Sequence, residues 1–524
     1  MIVGGGPSGM MVANELLRRG IACRIVDKAA GPEVTSRAFT VHARTLEMLE
    51  AIGVAHRFVG QGEQSPGFTF NFKGLSEQPR LDFTRLANTR YRYILKIGQA
   101  DTERLLREHL ENTYSCRTEW NTELTALEQI GDDEIVRVRL QHNAEGGGEE
   151  VAQTRWLVAC DGVHSATRKA LGLAFSGREY KDMVLQMMDG ELRGYTGDGA
   201  WINYYMEKNY FLTITKLPGR DYRLLLSDLG ESVKPGVPRR EVFQEIAAHF
   251  VDGVQVAEPP WATQWTIRAN LAQAYRQGNI FLCGDATHIH SPAGGQGMNA
   301  CMQDGYNLGW KLAMVIRGEA RPSLLESYEQ ERRPIAEQVT AGAHAMQQII
   351  MAHGTGLEGR LELTRQPGWH DEAIARISGL SHHYRAAGAA EVSAGAGGPQ
   401  VGERAPDAVL ARTPEVRLFD LLRHPRFTLL LRPAQPEEFS AAWKLIDEVS
   451  RRYSGAVKCV TVNSDVAAPA EPRMVVDECG EIEQHYGRSS VGRLFLVRPD
   501  GYVGFKGQLN ESRGLFAHLG QWLS

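Results

Sequence analysis

Met1-Ile-Val-Gly-Gly-Gly-Pro-Ser-Gly9 reads as the end of a β-strand running into a glycine-rich turn. Gly4, Gly6 and Gly9 fit G-x-G-x-x-G: the first permits the tight turn, the second lets a pyrophosphate approach the backbone, and the third lets a helix pack on the strand. The spacing predicts a helix over 7–19, stopped at Gly20, with Arg18 and Arg19 against its negative end. A second strand over 22–26 delivers Asp27, whose carboxylate suits the hydroxyls of a ribose and repels a 2′-phosphate. The tightly held nucleotide is therefore FAD or NAD rather than NADP. Only Met1, Ile2 and Val3 precede the turn, short for a central parallel strand, which leaves open a start upstream of Met1.

Outward from that turn, 524 residues exceed a single core and suggest about three domains. The chain is 43% hydrophobic and 23% charged, with a net charge of −5, so no nucleic-acid partner is expected. No stretch reads as a membrane span or a secretory leader. Seven scattered cysteines without a C-x-x-C pair read as small buried apolar residues in a reducing cytoplasm.

Periodicity predicts helices over 41–52 and 100–111 and a strand over 68–72. A hairpin is expected with strands 134–140 and 155–160 around Gly146–Gly148. Alternating strands over 183–188, 200–206, 210–216 and 222–226 indicate an antiparallel sheet inserted into the nucleotide fold. A buried strand at 278–284 then resumes that fold, followed by helices over 298–316 and 323–353. Residues 389–399 form a Gly/Ala-rich linker, and a third unit shows strands near 427–431, 457–462 and 494–497 with helices near 437–452 and 515–523. The expected fold class is α/β. Residues 1–174 form a Rossmann-like dinucleotide domain, 175–265 an inserted antiparallel substrate-binding sheet, 266–388 the rest of the first domain with a helical segment, and 399–524 a C-terminal α/β domain.

Three further motifs turn "dinucleotide" into "flavin". Cys160-Asp-Gly-Val-His-Ser-Ala-Thr-Arg168 and Phe281-Leu-Cys-Gly-Asp-Ala-Thr-His288 each follow a strand, and Ser291-Pro-Ala-Gly-Gly-Gln-Gly-Met-Asn299 opens the long helix. Asp285, at a strand end, is placed to bind hydroxyls of a threading chain. The helix start presents free N–H groups to the N1–C2=O edge of an isoalloxazine, which becomes anionic on reduction. His288 and His290 form H-x-H, but no third ligand has suitable spacing and no metal is expected. His382-His383 read as solvated loop residues.

These motifs, with Ser36-Arg-Ala38, Gln99, Asp304, Asn307-Leu-Gly-Trp-Lys311, Ser327-Tyr-Glu-Gln-Glu-Arg-Arg-Pro334 and Arg498-Pro-Asp-Gly-Tyr502, run almost the length of the chain. The set resembles the single-component FAD-dependent aromatic hydroxylases, the p-hydroxybenzoate and phenol hydroxylase group. It is most similar to polyketide-tailoring members with a C-terminal thioredoxin-like domain. The resemblance implies that Arg37 and Gln99 contact FAD along its pyrophosphate and ribityl chain, that Asp161 serves both FAD and a transient NAD(P)H, and that Asp285 holds ribityl hydroxyls. Gly295, Gly297, Met298 and Asn299 would line the flavin ring. Arg44 is either a phosphate contact or a solvated helix arginine. Tyr204 and Tyr205 point to opposite faces of one strand; Tyr205 falls near the place of a substrate-activating tyrosine or is a packed sheet residue. Pro292 would bring its backbone near the flavin's reactive edge. No catalytic side chain is identified.

The implied reaction is NAD(P)H reduction of FAD, dioxygen addition to give a flavin C4a-hydroperoxide, and oxygen transfer to a phenolic or polycyclic aromatic ring, in a cytoplasmic enzyme of secondary metabolism. A homodimer is left open. A Baeyer–Villiger or antibiotic-modifying monooxygenase is an alternative, as is a non-catalytic flavoprotein sheltering a reactive intermediate. The third unit, lacking C-x-x-C, is expected to pack rather than to do thiol chemistry.

Overall fold

The computed structural model describes residues 1–35, 38–130, 135–208, 210–228, 238–351, 356–384, 397–453, 455–463 and 474–524. Short apolar strands build the first sheet. Ile2–Val3 lies between the parallel strands Leu157–Ala159 and Ile25–Val26, with Ile280–Leu282 and Thr118–Glu119 outside them. All residues of Ile2–Val3, Ile25–Val26, Leu157–Ala159 and Ile280–Leu282 are buried, as befits strands covered on both faces. The register pairs Ile2 with Ile25 and Val158, and Val158 with Phe281. Gly4, Asp27, Cys160 and Cys283 therefore leave the sheet together at its carboxyl edge, where α/β sheets bind ligands.

The expected hairpin needs correction. Ile135–His142 pairs antiparallel with Glu149–Thr154, and the apolar run after it crosses into the parallel sheet as Leu157–Ala159. Glu149–Thr154 alternates exposed and half-buried residues, whereas Leu157–Ala159 is buried throughout. That contrast separates a solvated edge from a central strand.

The opening helix is Pro7–Leu17, with Gly20 in the left-handed region (φ +76°) just beyond it. The long helix Gly297–Ile316 crosses it at close range. A Cβ at Gly305 would lie 2.5 Å from the Ser8 carbonyl oxygen, and one at Gly309 would lie 2.5 Å from the Glu15 Cβ.

The inserted sheet reaches beyond 175–265. Its order is His288–Ile289, Trp261–Ala272, Phe175–Arg193, Asp221–Asp228, Tyr210–Lys216, Ile202–Met206, Gly67–Phe72 and Arg80–Asp82. Gly67–Phe72 joins in parallel, placing Phe70 beside Tyr204. Alternation splits its two faces. Met188, Leu212, Ile214, Leu224 and Leu226 pack against the helix Arg240–Phe250. Leu185, Met187, Tyr204, Phe211, Leu225 and Ile267 turn inward, toward the core of the dinucleotide domain.

The C-terminal unit is a five-stranded sheet ordered Met474–Val476, Val457–Asn463, Phe427–Arg432, Arg493–Val497 and Val503–Gln508. The first two pairings are parallel and the last two antiparallel. The helices Glu438–Tyr453 and Ser512–Trp522 share one apolar cluster with Trp310, Met314, Ala320 and Leu324, so this unit completes its core against the long helix. Residues 389–396 of the linker lie outside the described residues.

Candidate functional site

The carboxyl edge of the parallel sheet faces the inner side of the large sheet across a cavity of about 670 Å³. Gly6, Pro7, Ser8, Gln99, Glu103, Cys160 and Gly162 line its dinucleotide side, Asp285, Gly295, Gly297 and Met298 its middle, and Phe39, Phe68, Met187, Tyr204, Thr213, Leu225, Trp265, Ile267 and Pro292 its sheet side.

The opening turn is shaped as its spacing requires. Gly4 has φ +106°, and a Cβ there would meet the Cys160 carbonyl oxygen at 2.2 Å. A Cβ on Gly9 would lie 2.0 Å from the Gly4 oxygen, the helix-to-strand contact that excludes a side chain. Around Gly6 nothing lies within 4 Å of that position, leaving an open cradle above the helix N-terminus. The Asp27 carboxylate accepts hydrogen bonds from Gly5 N–H (2.7 Å) and Ala29 N–H (2.8 Å), so it braces the turn.

Gln99 opens the helix Gln99–Tyr114 and donates to Glu103 Oε1 at 2.8 Å. Burial lifts the Glu103 carboxyl to about 7. Sequence reasoning did not single out Glu103, although a residue four places after Gln99 on a helix shares its face. Asp161 does not line the cavity; its carboxylate accepts from Thr167 N–H (3.0 Å) while its neighbours Cys160 and Gly162 form the wall. Asp285 does line it, and the Cys301 thiol lies 3.1 Å from its Oδ1.

The second glycine loop is clamped from behind. The Asn299 side chain donates to Thr40 O (2.9 Å) and Gly295 O (3.0 Å) and accepts from His42 N–H (2.9 Å). His42 Nε2 reaches Gly294 O (3.0 Å) and Gly295 O (3.2 Å), and burial lowers its pKa to about 4. The Asn299 side chain thus holds the loop instead of lining the cavity, which corrects the expectation. His42 carried no motif and was missed.

Three other expectations change. Arg44 is neither a phosphate contact nor solvated: it is 2% exposed, pairs with Glu47 at 3.0 Å, donates to the Asp500 carbonyl and lies over the Tyr502 ring. That arginine docks the C-terminal unit. Tyr205 faces away from the cavity, with its hydroxyl 3.0 Å from that of Tyr195 and its ring against Phe250. The opposite face belongs to Tyr204, which lines the cavity, stacks on Phe70 and receives a hydrogen bond from Gly294 N–H; burial raises its phenol well above the ordinary range. His382 is 4% exposed rather than solvated. Arg37 lies outside the described residues. No cluster of three or more metal-ligating side chains occurs among the described residues, nor any helix long and apolar enough to cross a membrane.

This arrangement fits a flavin dinucleotide: an open glycine cradle at one helix N-terminus, a carboxylate midway, and a clamped glycine loop opening a second helix beside an apolar wall. Comparison with known proteins agrees. Residues 1–343 match the family model described as "FAD binding domain", and residues 398–524 match "Aromatic-ring hydroxylase, C-terminal". The chain is 45% identical to pentachlorophenol 4-monooxygenase of Sphingobium chlorophenolicum over 505 residues, 96% of this chain and 92% of that one. It is 33% identical to 6-methylpretetramide 4-monooxygenase of Streptomyces rimosus, covering 99% and 92%. Among solved structures, an anhydrotetracycline hydroxylase from Streptomyces rimosus superposes with a TM-score of 0.76 at 28% identity, covering 99% of this chain and 98% of that one.

Proposed function

The chain belongs to the FAD-dependent aromatic-ring hydroxylases, and on that premise we propose that it hydroxylates a phenolic or polycyclic aromatic compound with dioxygen and NAD(P)H. The observation that carries this reading is the single cavity joining the dinucleotide turn to the inner face of the large sheet. Its sheet side is walled by Phe39, Phe68, Met187, Leu225, Trp265 and Ile267, a surface suited to a flat apolar ring. The two relatives named above are, by their names, monooxygenases of a chlorinated phenol and of a pretetramide, which supports an aromatic substrate here.

Bound FAD supplies the redox chemistry, accepting reducing equivalents and activating dioxygen. The protein supplies position, dryness and charge. With FAD bound, the Gly6 cradle and the Pro7–Leu17 helix start would receive the pyrophosphate, Asp285 would accept hydrogen bonds from ribityl hydroxyls, and the N–H groups opening Gly297–Ile316 would favour negative charge on the ring edge. His42 and Asn299 fix the loop that presents Pro292. The apolar wall excludes water, which would divert the activated oxygen to hydrogen peroxide.

The test is to measure NADH and NADPH oxidation by the FAD-loaded protein with a panel of chlorophenols, naphthols and tetracyclic polyketides, scoring hydroxylated product against peroxide. Stimulated oxidation coupled to ring hydroxylation is expected. Oxygen insertion beside a ketone would replace the reading with a Baeyer–Villiger one. A flavin-replete protein that no aromatic stimulates would indicate a binding protein.

A further inference from the structure

Two imidazoles on the segment leaving Asp285 each present a bare nitrogen to buried space. His288 Nε2–H donates to Asp304 Oδ2 at 2.8 Å, and Asp304 Oδ1 accepts from Arg332 Nε at 2.6 Å, leaving His288 Nδ1 unpartnered. His290 Nδ1–H donates to the Ser291 carbonyl at 2.8 Å, which fixes the tautomer. Its Nε2 is then a lone-pair acceptor, buried and without a partner. The two rings lie nearly parallel, 6.4 Å apart, and both residues line the cavity. An unsatisfied buried acceptor is costly unless a ligand brings a donor to it.

His290 lies on the segment that joins the dinucleotide edge of the cavity to its sheet wall. The preceding strand, His288–Ile289, pairs with Trp261–Ala272 of the large sheet, matching Ile289 to Asn270. The residues after it, Ser291, Pro292 and Ala293, face Leu185, Tyr204, Phe211, Leu225 and Ile267 across a narrower recess. A Cβ on Gly297 would lie 4.0 Å from His290 Nε2, so this acceptor sits beside the first turn of Gly297–Ile316, between the cofactor end of the cavity and the recess behind Pro292.

We propose that His290 Nε2 accepts the hydrogen bond of the substrate's phenolic hydroxyl, making it a catalytic residue that orients the ring and enriches it in electrons. The inference rests on the phenolic reading above. In the bound pair one proton is shared between the phenolic oxygen and Nε2. With an alkylphenol the O–H bond persists. With an acidic halogenated phenol it breaks, an N–H bond forms at Nε2, and imidazolium faces phenolate. Either way the oxygen gains negative character and passes electron density to the ortho and para carbons. Burial and the neighbouring His288 lower the His290 pKa to about 4, so in the ligand-free protein the ring is neutral and ready to accept.

The experiment titrates FAD-loaded wild type, His290→Leu and His290→Gln with 4-methylphenol and with 4-methylanisole, following the flavin absorbance. FAD content and flavin midpoint potential are measured alongside. The wild type is expected to bind the phenol about tenfold more tightly than the methyl ether, the worth of one hydrogen bond. Leu should reduce that ratio to about one, Gln should restore part of it through its amide oxygen, and the potential should stay where it was. A ratio that survives in His290→Leu overturns the inference while leaving the phenolic reading intact, and a lost FAD or shifted potential with an unchanged ratio assigns the histidine to the cofactor instead. A wild type that binds neither probe overturns both readings together.

Discussion

Replacing Glu331 by Gln should loosen the C-terminal unit from the dinucleotide domain, by an amount that the surrounding charges set. Arg498 donates to both carboxylate oxygens of Glu331, at 2.6 and 2.8 Å, while Lys311 donates at 2.7 Å and Asn307 at 2.9 Å. Burial opposes ionisation of this carboxyl, but Arg498 and Lys311 overcome it and hold the pKa at about 2, against an ordinary 4.5. That depression corresponds to about 3 kcal/mol of stability. Removing one member of a buried ion cluster costs about 3–5 kcal/mol, because the remaining charges stay buried without their partner. Both routes give a similar figure, equivalent to a fall in Tm of about 3–5 °C for a chain of 524 residues melting as one unit. Because the carboxyl is depressed, its contribution is complete above pH ~4.5 and fades only as pH falls toward 2. The gap between wild type and variant should therefore be constant from pH 5 to 7.5. Thermal melts followed by flavin fluorescence and far-UV circular dichroism measure it. A shift below about 2 °C at pH 7 would refute the assignment of this cluster as the docking contact.

Asp285→Ala should purify without FAD, because ribityl hydroxyls lose their acceptor; a yellow, fully active variant would contradict that, as read from the 450 nm absorbance. Gly6→Val should fill the open cradle and abolish cofactor retention by meeting the pyrophosphate, while the circular dichroism of the apoprotein stays native; normal flavin content would refute the contact. His382 is buried and its pKa is lowered to about 3, first by burial and then by Arg332 and Arg44, so the folded chain keeps it neutral while the unfolded chain protonates below about 6.5. The stability advantage of wild type over His382→Asn should shrink by about 1.4 kcal/mol between pH 7.5 and 5.5 in urea titrations. An unchanged gap would mean the ring is not held neutral.

Local chemistry made the cofactor half of the site readable. Gly4, Gly6 and Gly9 act within one turn, and Asp285 follows Ile280–Leu282, a strand whose apolar run announces itself. Sheet partnership was less readable. Alternation marked Phe68–Phe72 as a strand, but not that it pairs with Ile202–Met206 and walls the substrate side. The same period put Tyr204 and Tyr205 on opposite faces without saying which face looked inward; the helix Arg240–Phe250, packing on the Tyr205 side, settles that. Arg44 shows where pattern reading stops. Its partner Asp500 is 456 residues away, and Glu47 beside it is clasped by Arg404, 357 residues along the chain. No spacing rule reaches contacts made only when the C-terminal unit docks.

Occupation by FAD of the crevice between Gly6 and the 294–299 loop, with its ring facing an aromatic substrate, is the prediction on which all the others depend. It is tested most directly by loading the purified protein with FAD and supplying ¹⁸O₂, reduced nicotinamide and a chlorophenol or naphthol. One flavin per chain and one heavy oxygen in each hydroxylated product are the expected result. A protein that takes up no FAD in excess cofactor, or a product whose new oxygen comes from water, would contradict it.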